Sequence, residues 1–391
     1  MDFLSNVRPT YLEINLDNLA HNFREIERLV KKDTLVMPII KANAYGHGSM
    51  ELANLYKEMG VKKLGVSLLN EGLELRKAGI EGQILILNYT PSFQMNLVVE
   101  YNLTQTIYRL EDAIALSNEA KKANKSMKIH IKIDTGMSRL GFLPNQESVE
   151  EIKKIRDLEN IEVEGIYTHF AKADEEDKSF TKTQYERFTQ MVNELEKNGV
   201  DIPIKHVSNS AAIIDLPEYN LDIVRPGIIL YGYYPSDEVM KDRIDLKPAM
   251  TLKALISNIK TVPKDTGISY GHLFTTKKES KIATVPIGYA DGYTRILTGK
   301  AEAYVGDKRV PIAGKICMDQ LMLDITGLED LKVGDQVVFF GVGNPSYPHV
   351  DEVAKKLGTI NYEIICMMGR RLPRVYIKQG KVIKTLDYLL D

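Results

Sequence analysis

Short apolar runs recur along the first 240 residues, each followed by a longer stretch with a helical repeat. The runs are VMPIIK (36–41), LGVSLL (64–69), QILILNY (83–89), TQTIYR (104–109), KIHIKID (128–134), VEGIYTHF (163–170), IKHVSNS (204–210) and IVRPGIILYG (223–232). Several are nearly continuous in Val, Ile and Leu, as expected of strands covered on both faces in a parallel sheet. In the first intervening stretch Leu16, Leu19, Phe23, Ile26 and Leu29 recur at spacings of three and four, the stripe of an amphipathic helix. Asn15 or Asp17 suits its start, and Lys31 and Lys32 suit its end. Further helices are predicted over 51–60, 70–79, 93–101, 110–124, 147–159, 180–199 and 211–218. Eight such units are the number that closes a TIM-type (β/α)8 barrel. A doubly wound open sheet competes, but no Gly-x-Gly-x-x-Gly follows the first strand.

The pattern changes after Met240. Residues 240–249 read as a linker, and strand-like runs then recur with turns and few helices: 250–262, 281–289, 301–314, 320–325, 335–341 and 374–385. The last holds a Gln379-Gly380 turn signal, and one helix is predicted over 350–358. The chain is therefore predicted to be α/β, with a barrel domain over 1–245 and a mainly β domain over 246–391. The first ten or so residues are expected to pack with the second domain.

Composition narrows the function classes. Of 391 residues, 51 are Lys or Arg and 53 Asp or Glu, so the formal charge of −2 supplies no polybasic surface for nucleic acid or anionic lipid. Two cysteines, Cys317 and Cys366, support neither a disulfide framework nor a four-thiolate zinc site, and such low usage suits a reducing cytosol. No run of 18 apolar residues occurs, and the N-terminus lacks the basic and apolar regions of a signal peptide. His21, His130, His272 and His349 show no ligand spacing, so no catalytic metal is expected. The expectation is a cytoplasmic protein without membrane or nucleic-acid partners.

A barrel of this type carries its chemistry at the C-terminal ends of the strands. Lys41 ends the first strand behind apolar residues. Burial depresses a lysine's pKa, and the neutral amine forms Schiff bases; a lysine snorkelling at the rim is the plain alternative. His169 ends the sixth strand, Asn209 and Ser210 end the seventh, and Arg225 and Gly227 lie on the eighth. Backbone N–H groups with a serine hydroxyl make a phosphate site, which barrels often place after strands seven and eight. A lysine, a phosphate cradle and an arginine on one face together suggest pyridoxal phosphate.

Eight segments carry a family resemblance: IIKANAYGHG, KIDTGMSRLGF, YTHFAKADE, HVSNSAA, VRPGIILYG, SYGHLF, PIGYADGY and AGKICMDQLMLDI. Their order, from Leu12 to about Tyr376, resembles alanine racemase of the bacterial type. That resemblance implies interconversion of L- and D-alanine with pyridoxal 5'-phosphate, a homodimer with shared active sites, and D-alanine for peptidoglycan. Lys41 would hold the cofactor and serve as the base on the D side; Tyr270 would be the base on the L side, supplied by a partner subunit. Tyr45, Ser210, Gly227 and Ile228 would hold the phosphate, with Asn209 beside them. Arg225 would meet the pyridine nitrogen, and His169 would help fix either Arg225 or the ring. Arg139 and the Met318 N–H would bind the substrate carboxylate, Tyr289 would line the entry, and Lys132 matches a lysine often carbamylated in the family. The family often has a tyrosine against the phosphate where this chain has Arg370, which cannot accept a hydrogen bond from Tyr270. Three other readings stay open: a serine or broad-specificity racemase, a non-catalytic pyridoxal-phosphate-binding barrel, and a fold-related decarboxylase. The segment after Met250 argues against the second, and Arg225 in place of an acid against the third.

Overall fold

The computed structural model describes residues 7–390, which divide into two compact units. One comprises residues 20–44 and 49–247; the other comprises the chain up to Leu19, residues 45–48 and the chain from Pro248 onward. Of the N-terminal residues expected to join the β domain, 1–6 lie outside the described residues. From Thr10 the chain enters strand β1 (Thr10–Asn15), in the second unit.

The first unit is a closed parallel barrel. Its strands are β2 (Leu35–Val36), β3 (Lys63–Val66), β4 (Gln83–Ile86), β5 (Thr104–Ile107), β6 (Met127–Lys132), β7 (Ile161–Tyr167), β8 (Ile204–His206) and β9 (Ile223–Val224). Strands β3 to β8 form one parallel sheet in chain order, and β2 pairs with β9. Backbone hydrogen bonds close the ring on both sides of that pair. Gly65 N–H donates to Pro38 and Ile40 N–H to Gly65, while Asp222 N–H donates to Lys205 and Arg225 N–H to Ser208. The eight apolar runs thus form eight strands, several shorter than their runs because the chain turns into loops at the mouth. Leu64, Ile84, Leu85, Ile107, Ile129 and Ile131 are buried within the strands, as two covered faces require. The first helix, Leu16–Leu29, starts where Asn15 Oδ1 accepts the Asn18 N–H at 2.9 Å, which selects Asn15 over Asp17 as its cap.

The second unit is mainly β. A seven-stranded sheet runs β16 (Lys308–Pro311), β15 (Glu302–Val305), β18 (Gln336–Phe340), β10 (Met250–Leu255), β1, β19 (Arg374–Lys378) and β20 (Lys381–Leu386). Strands β11 (Asn258–Val262), β14 (Ser280–Val285) and β17 (Leu321–Asp324) form a second sheet, and β12 (Gly267–Ile268) pairs with β13 (Phe274–Thr275). Periodicity did not find strand β1, nor the short pair β12 and β13. Strand β1 lies inside the sheet, antiparallel to β10 and parallel to β19, with Tyr11, Leu12 and Ile14 buried. A helix over Asn361–Cys366 follows the expected one, found at Val350–Leu357.

Candidate active site

Within the barrel unit, the first strand leads through buried Ile39 and Ile40 to Lys41. The chain then makes a left-handed turn: Ala42, Asn43, Ala44 and Tyr45 all have φ between 51° and 55°. Each non-glycine residue there costs roughly 1–2 kcal/mol, so the turn persists only where surroundings over-determine it. Glu71 supplies part of that support, accepting the N–H groups of Ala42, Ser67 and Leu68. Ala44 N–H donates to the Ile40 carbonyl, and Asn43 Oδ1 accepts from Ser49 N–H.

Cationic groups gather on this unit. Lys132 ends β6, is 8% exposed, and has its Nζ 4.5 Å from the centre of the Tyr167 ring. Burial drives its pKa well down, and the charges of Arg225 and Arg139 add to the shift against a smaller opposing pull from Asp134. Arg139 sits in a loop whose backbone is tied to Asp134, the acceptor for the N–H groups of Gly136, Ser138 and Arg139. His169 follows β7, and its pKa is pushed well below the ordinary histidine value by burial and then by Arg225, Lys132, Arg139 and Lys41. It is a neutral ring in a cationic field.

Arg225, 4% exposed, is held on most of its surface. Its Nη1 donates to His206 Nδ1 and to the His206 carbonyl, at 2.8 and 3.0 Å. Its Nη2 donates to the carbonyls of Thr168 and Val207, at 2.6 and 3.0 Å, with His169 Nδ1 at 3.4 Å. Burial pushes its pKa down to about 10, so it stays a cation at neutral pH. Of its five N–H groups only Nε–H has no acceptor among the described residues. Ser210 Oγ accepts the Gly227 N–H at 2.8 Å, and Ile228 opens a buried 3-10 turn after Gly227. Asn209 caps the helix that starts at Ser210, its Oδ1 accepting the Ala212 N–H. The barrel therefore brings together Lys132, Arg139, His169, Arg225 and Lys41, and separately joins Ser210 to Gly227.

The β unit holds the rest. Tyr45 is buried with its ring 6.2 Å from that of Tyr362. Tyr270 lies on the link between β12 and β13 and exposes 68% of its surface. Ser269, held at φ +65°, anchors the link by donating to the Lys315 carbonyl. Tyr289 and Met318 face each other through their backbones. Tyr289 N–H donates to Cys317 and Ala290 N–H to Met318, whereas the Met318 N–H has no acceptor among the described residues. Gly288 permits that approach, because a Cβ there would lie 2.2 Å from the Met318 oxygen. The Arg370 guanidinium lies over the Tyr388 ring at 5.0 Å.

Four residues of consequence received no site role from the sequence: Glu164, His130 and His206 in the barrel interior, and Asp291 in the β unit. Asp291 accepts Arg8 Nη1 and Nη2 and the Gly288 N–H while itself fully buried.

A closed eight-stranded barrel with a cationic strand-end cluster, followed by a β unit of exposed tyrosines, defines a barrel enzyme built to bind anionic groups. Comparison with known proteins gives its family. Residues 14–235 match the alanine racemase N-terminal domain and residues 249–376 its C-terminal domain. The alanine racemase of Methanococcus maripaludis is 53% identical over 369 residues, covering 94% of this chain and 99% of that protein. The solved alanine racemase of Clostridium difficile 630 superposes with a TM-score of 0.95 at 47% identity, covering 97% of this chain and 99% of the other. The alanine racemase of Bacillus anthracis, solved with bound L-Ala-P, gives 0.93 at 37% identity, covering 98% and 99%. The chain belongs to the alanine racemase family.

Proposed function

We propose that the protein interconverts L- and D-alanine with pyridoxal 5'-phosphate. The observation that carries the cofactor reading is Arg225, a buried cation with four N–H groups taken by the barrel and Nε–H left as a donor. A pyridine nitrogen is an acceptor that fits it, and the surrounding cationic field suits a phosphate and a carboxylate. Ser210, Gly227 and Ile228, with Tyr45, would hold the phosphate; Asn209 would shape the turn beneath it. When bound, the cofactor withdraws electrons from the amino acid's Cα and so acidifies its hydrogen.

The remaining work falls to side chains. Lys41 would hold the cofactor through its amine and then exchange a proton at its Nζ with one face of Cα. The Tyr270 hydroxyl would serve the opposite face, which racemisation requires. Arg139 and the unaccepted Met318 N–H would fix the carboxylate, Tyr289 would narrow the entry, and His169 would steady Arg225. Arg225 keeps its own proton, so it would donate to the ring without protonating it and would limit charge build-up there. Lys132, whose amine burial pushes toward the neutral form, is suited to add to CO2: its lone pair would form the N–C bond, one C=O π pair would move onto oxygen, and one N–H proton would leave; the carbamate would pair with Arg139. The exposure of Tyr270, Leu273 (66%) and Met318 (53%) supports a homodimer in which each β unit completes the partner's site. Arg370, whose guanidinium lies over the Tyr388 ring, would also approach the phosphate. The barrel unit is read as the cofactor domain and the β unit as the carrier of the second base. The low cysteine usage supports a cytoplasmic setting, and D-alanine for peptidoglycan is the proposed use; no helix among the described residues is long and apolar enough to cross a membrane.

The test is spectroscopic and isotopic. Lys41→Ala should remove the visible absorbance of the bound cofactor. Tyr270→Phe should abolish solvent exchange of the α-hydrogen of L-alanine while leaving part of that of D-alanine. Racemisation of neither alanine nor serine by the wild-type protein would sink the reading.

A further inference from the structure

Below the strand ends, the barrel interior holds buried groups that the roles above leave unused: Glu164 on β7, His130 on β6 and His206 on β8, at 6%, 1% and 0% exposure. Their hydrogen bonds admit one polarity. Arginine has donors and no acceptor, so in the 2.8 Å contact between Arg225 Nη1 and His206 Nδ1 the histidine nitrogen is bare. A neutral imidazole with a bare Nδ1 carries its proton on Nε2. That Nε2 lies 2.8 Å from His130 Nδ1, so His206 donates and His130 Nδ1 is bare in turn. His130 Nε2 then carries the second proton and donates across 3.0 Å to Glu164. The reverse order would set a His206 N–H against an arginine N–H. A charged His130 would do the same to the proton on His206 Nε2.

The surroundings enforce this state. Burial lowers the pKa of both histidines. At His130 the hydrogen bond and charge of Glu164 pull the other way, but burial with Lys63 and Arg225 outweighs them. At His206, Arg225, His130, Lys132 and Lys63 all act with burial. Burial alone would raise the Glu164 carboxyl; hydrogen bonds from His130, Gln83 and Lys128 and the charge of Lys63 outweigh it and keep the group ionised. Tyr167, stacked on His206 with ring centres 4.6 Å apart and planes 8° apart, holds that ring flat against β7.

We propose that Glu164 and His130 are positioning residues for the racemase: through a one-way relay, Glu164–His130–His206, a carboxylate at the far side of the barrel orients Arg225 and commits its Nη1. The Nε–H then remains as the donor to the cofactor ring. Hydrogen bonds in a chain polarise one another, so the Glu164 charge makes each bare Nδ1 a stronger acceptor. The relay itself follows from the barrel's geometry; its catalytic consequence rests on the proposed meeting of Arg225 with the ring.

The holoenzyme labelled with 15N-histidine gives the first readout. Both His130 and His206 should show a bare Nδ1 and a protonated Nε2 at neutral pH. A protonated His206 Nδ1, or a charged ring on either residue, overturns the relay even if every variant fails to fold, and leaves the proposed function standing. Glu164→Gln offers an amide that also donates, so it should give mixed tautomers at both histidines and shift the cofactor's visible band. It should also lower kcat roughly tenfold, the kinetic equivalent of one hydrogen bond, with KM for alanine little changed. Glu164→Asp, which keeps the charge, should restore the tautomers and most of kcat. Unchanged tautomers in Glu164→Gln overturn the relay. Altered tautomers with an unmoved band and unmoved kcat overturn the positioning role. A wild-type chain with no cofactor band fails the proposed function instead, and the tautomers are read from the same sample.

Discussion

Replacing Asp291 tests whether a single buried carboxylate sets the stability and geometry of the Tyr289 turn. Asp291 is fully buried, and both its oxygens are held by Arg8 Nη1 and Nη2. It also accepts the Gly288 N–H at 3.1 Å and has Arg371 Nε at 3.6 Å. Removing one partner of a buried, hydrogen-bonded pair costs about 3–5 kcal/mol, because the other charge is left uncompensated. The Arg8 side chain is 23% exposed and partly regains water, which favours the lower end, ~3 kcal/mol. Asp291→Ala should therefore lower Tm by about 6–12 °C for a unit of this size. Asp291→Asn, which keeps one acceptor for Gly288, should lose roughly half as much. The assay is thermal and urea denaturation of both variants, with KM for alanine measured in parallel. KM should rise, because the same turn brings Tyr289 against Cys317 and Met318. An Asp291→Ala protein with wild-type Tm and KM would refute the argument.

Other outcomes follow from the same structure. Gly288→Ala would force a Cβ to within 2.2 Å of the Met318 oxygen and 2.3 Å of the Cys317 oxygen. Both are backbone atoms with little freedom to yield, so the cost should be about 3 kcal/mol with loss of activity; a crystal structure showing no displacement there would contradict this. His130, His169 and His206 all have pKa values below the ordinary 6.5. Below that value the unfolded chain binds protons that the folded one does not, so stability falls as pH falls. The slope should be about 1.4 kcal/mol per pH unit for each histidine, and His206→Gln should remove one such contribution from the urea-midpoint profile; an unchanged slope would exclude His206 as a source. Lys132→Ala should reduce kcat/KM for alanine about tenfold or more if its carbamate aligns Arg139. A carbamate resonance in the 13C NMR spectrum of the folded wild-type protein under 13C-bicarbonate, lost in Lys132→Ala, checks it: no such resonance rules the carbamate out.

The apolar periodicity alone determined the eight barrel units, because a strand covered on both faces leaves a nearly continuous apolar run and a helix on its flank leaves a 3.6-residue stripe. The change of pattern after Met240 likewise announced a β-rich segment, and eight ordered motifs announced the family. Strand β1 was hidden: in TYLEIN an alternating strand merges into the helix starting at Leu16, and its partners β10 and β19 lie some 240 and 360 residues away in sequence. The left-handed turn after Lys41 was equally illegible, since Ala42 and Ala44 favour right-handed helix by propensity and only distant acceptors such as Glu71 stabilise the alternative. His130 carried no ligand spacing, and Glu164 and His206 stood in strands read only for apolar content. Closing the barrel brings their three strands within hydrogen-bonding distance and fixes each proton in turn from Arg225. The order of apolar and polar residues is a local property and can be read along the chain. The polarity of a buried hydrogen-bond chain depends on which groups meet across strands, and only the tertiary structure decides that.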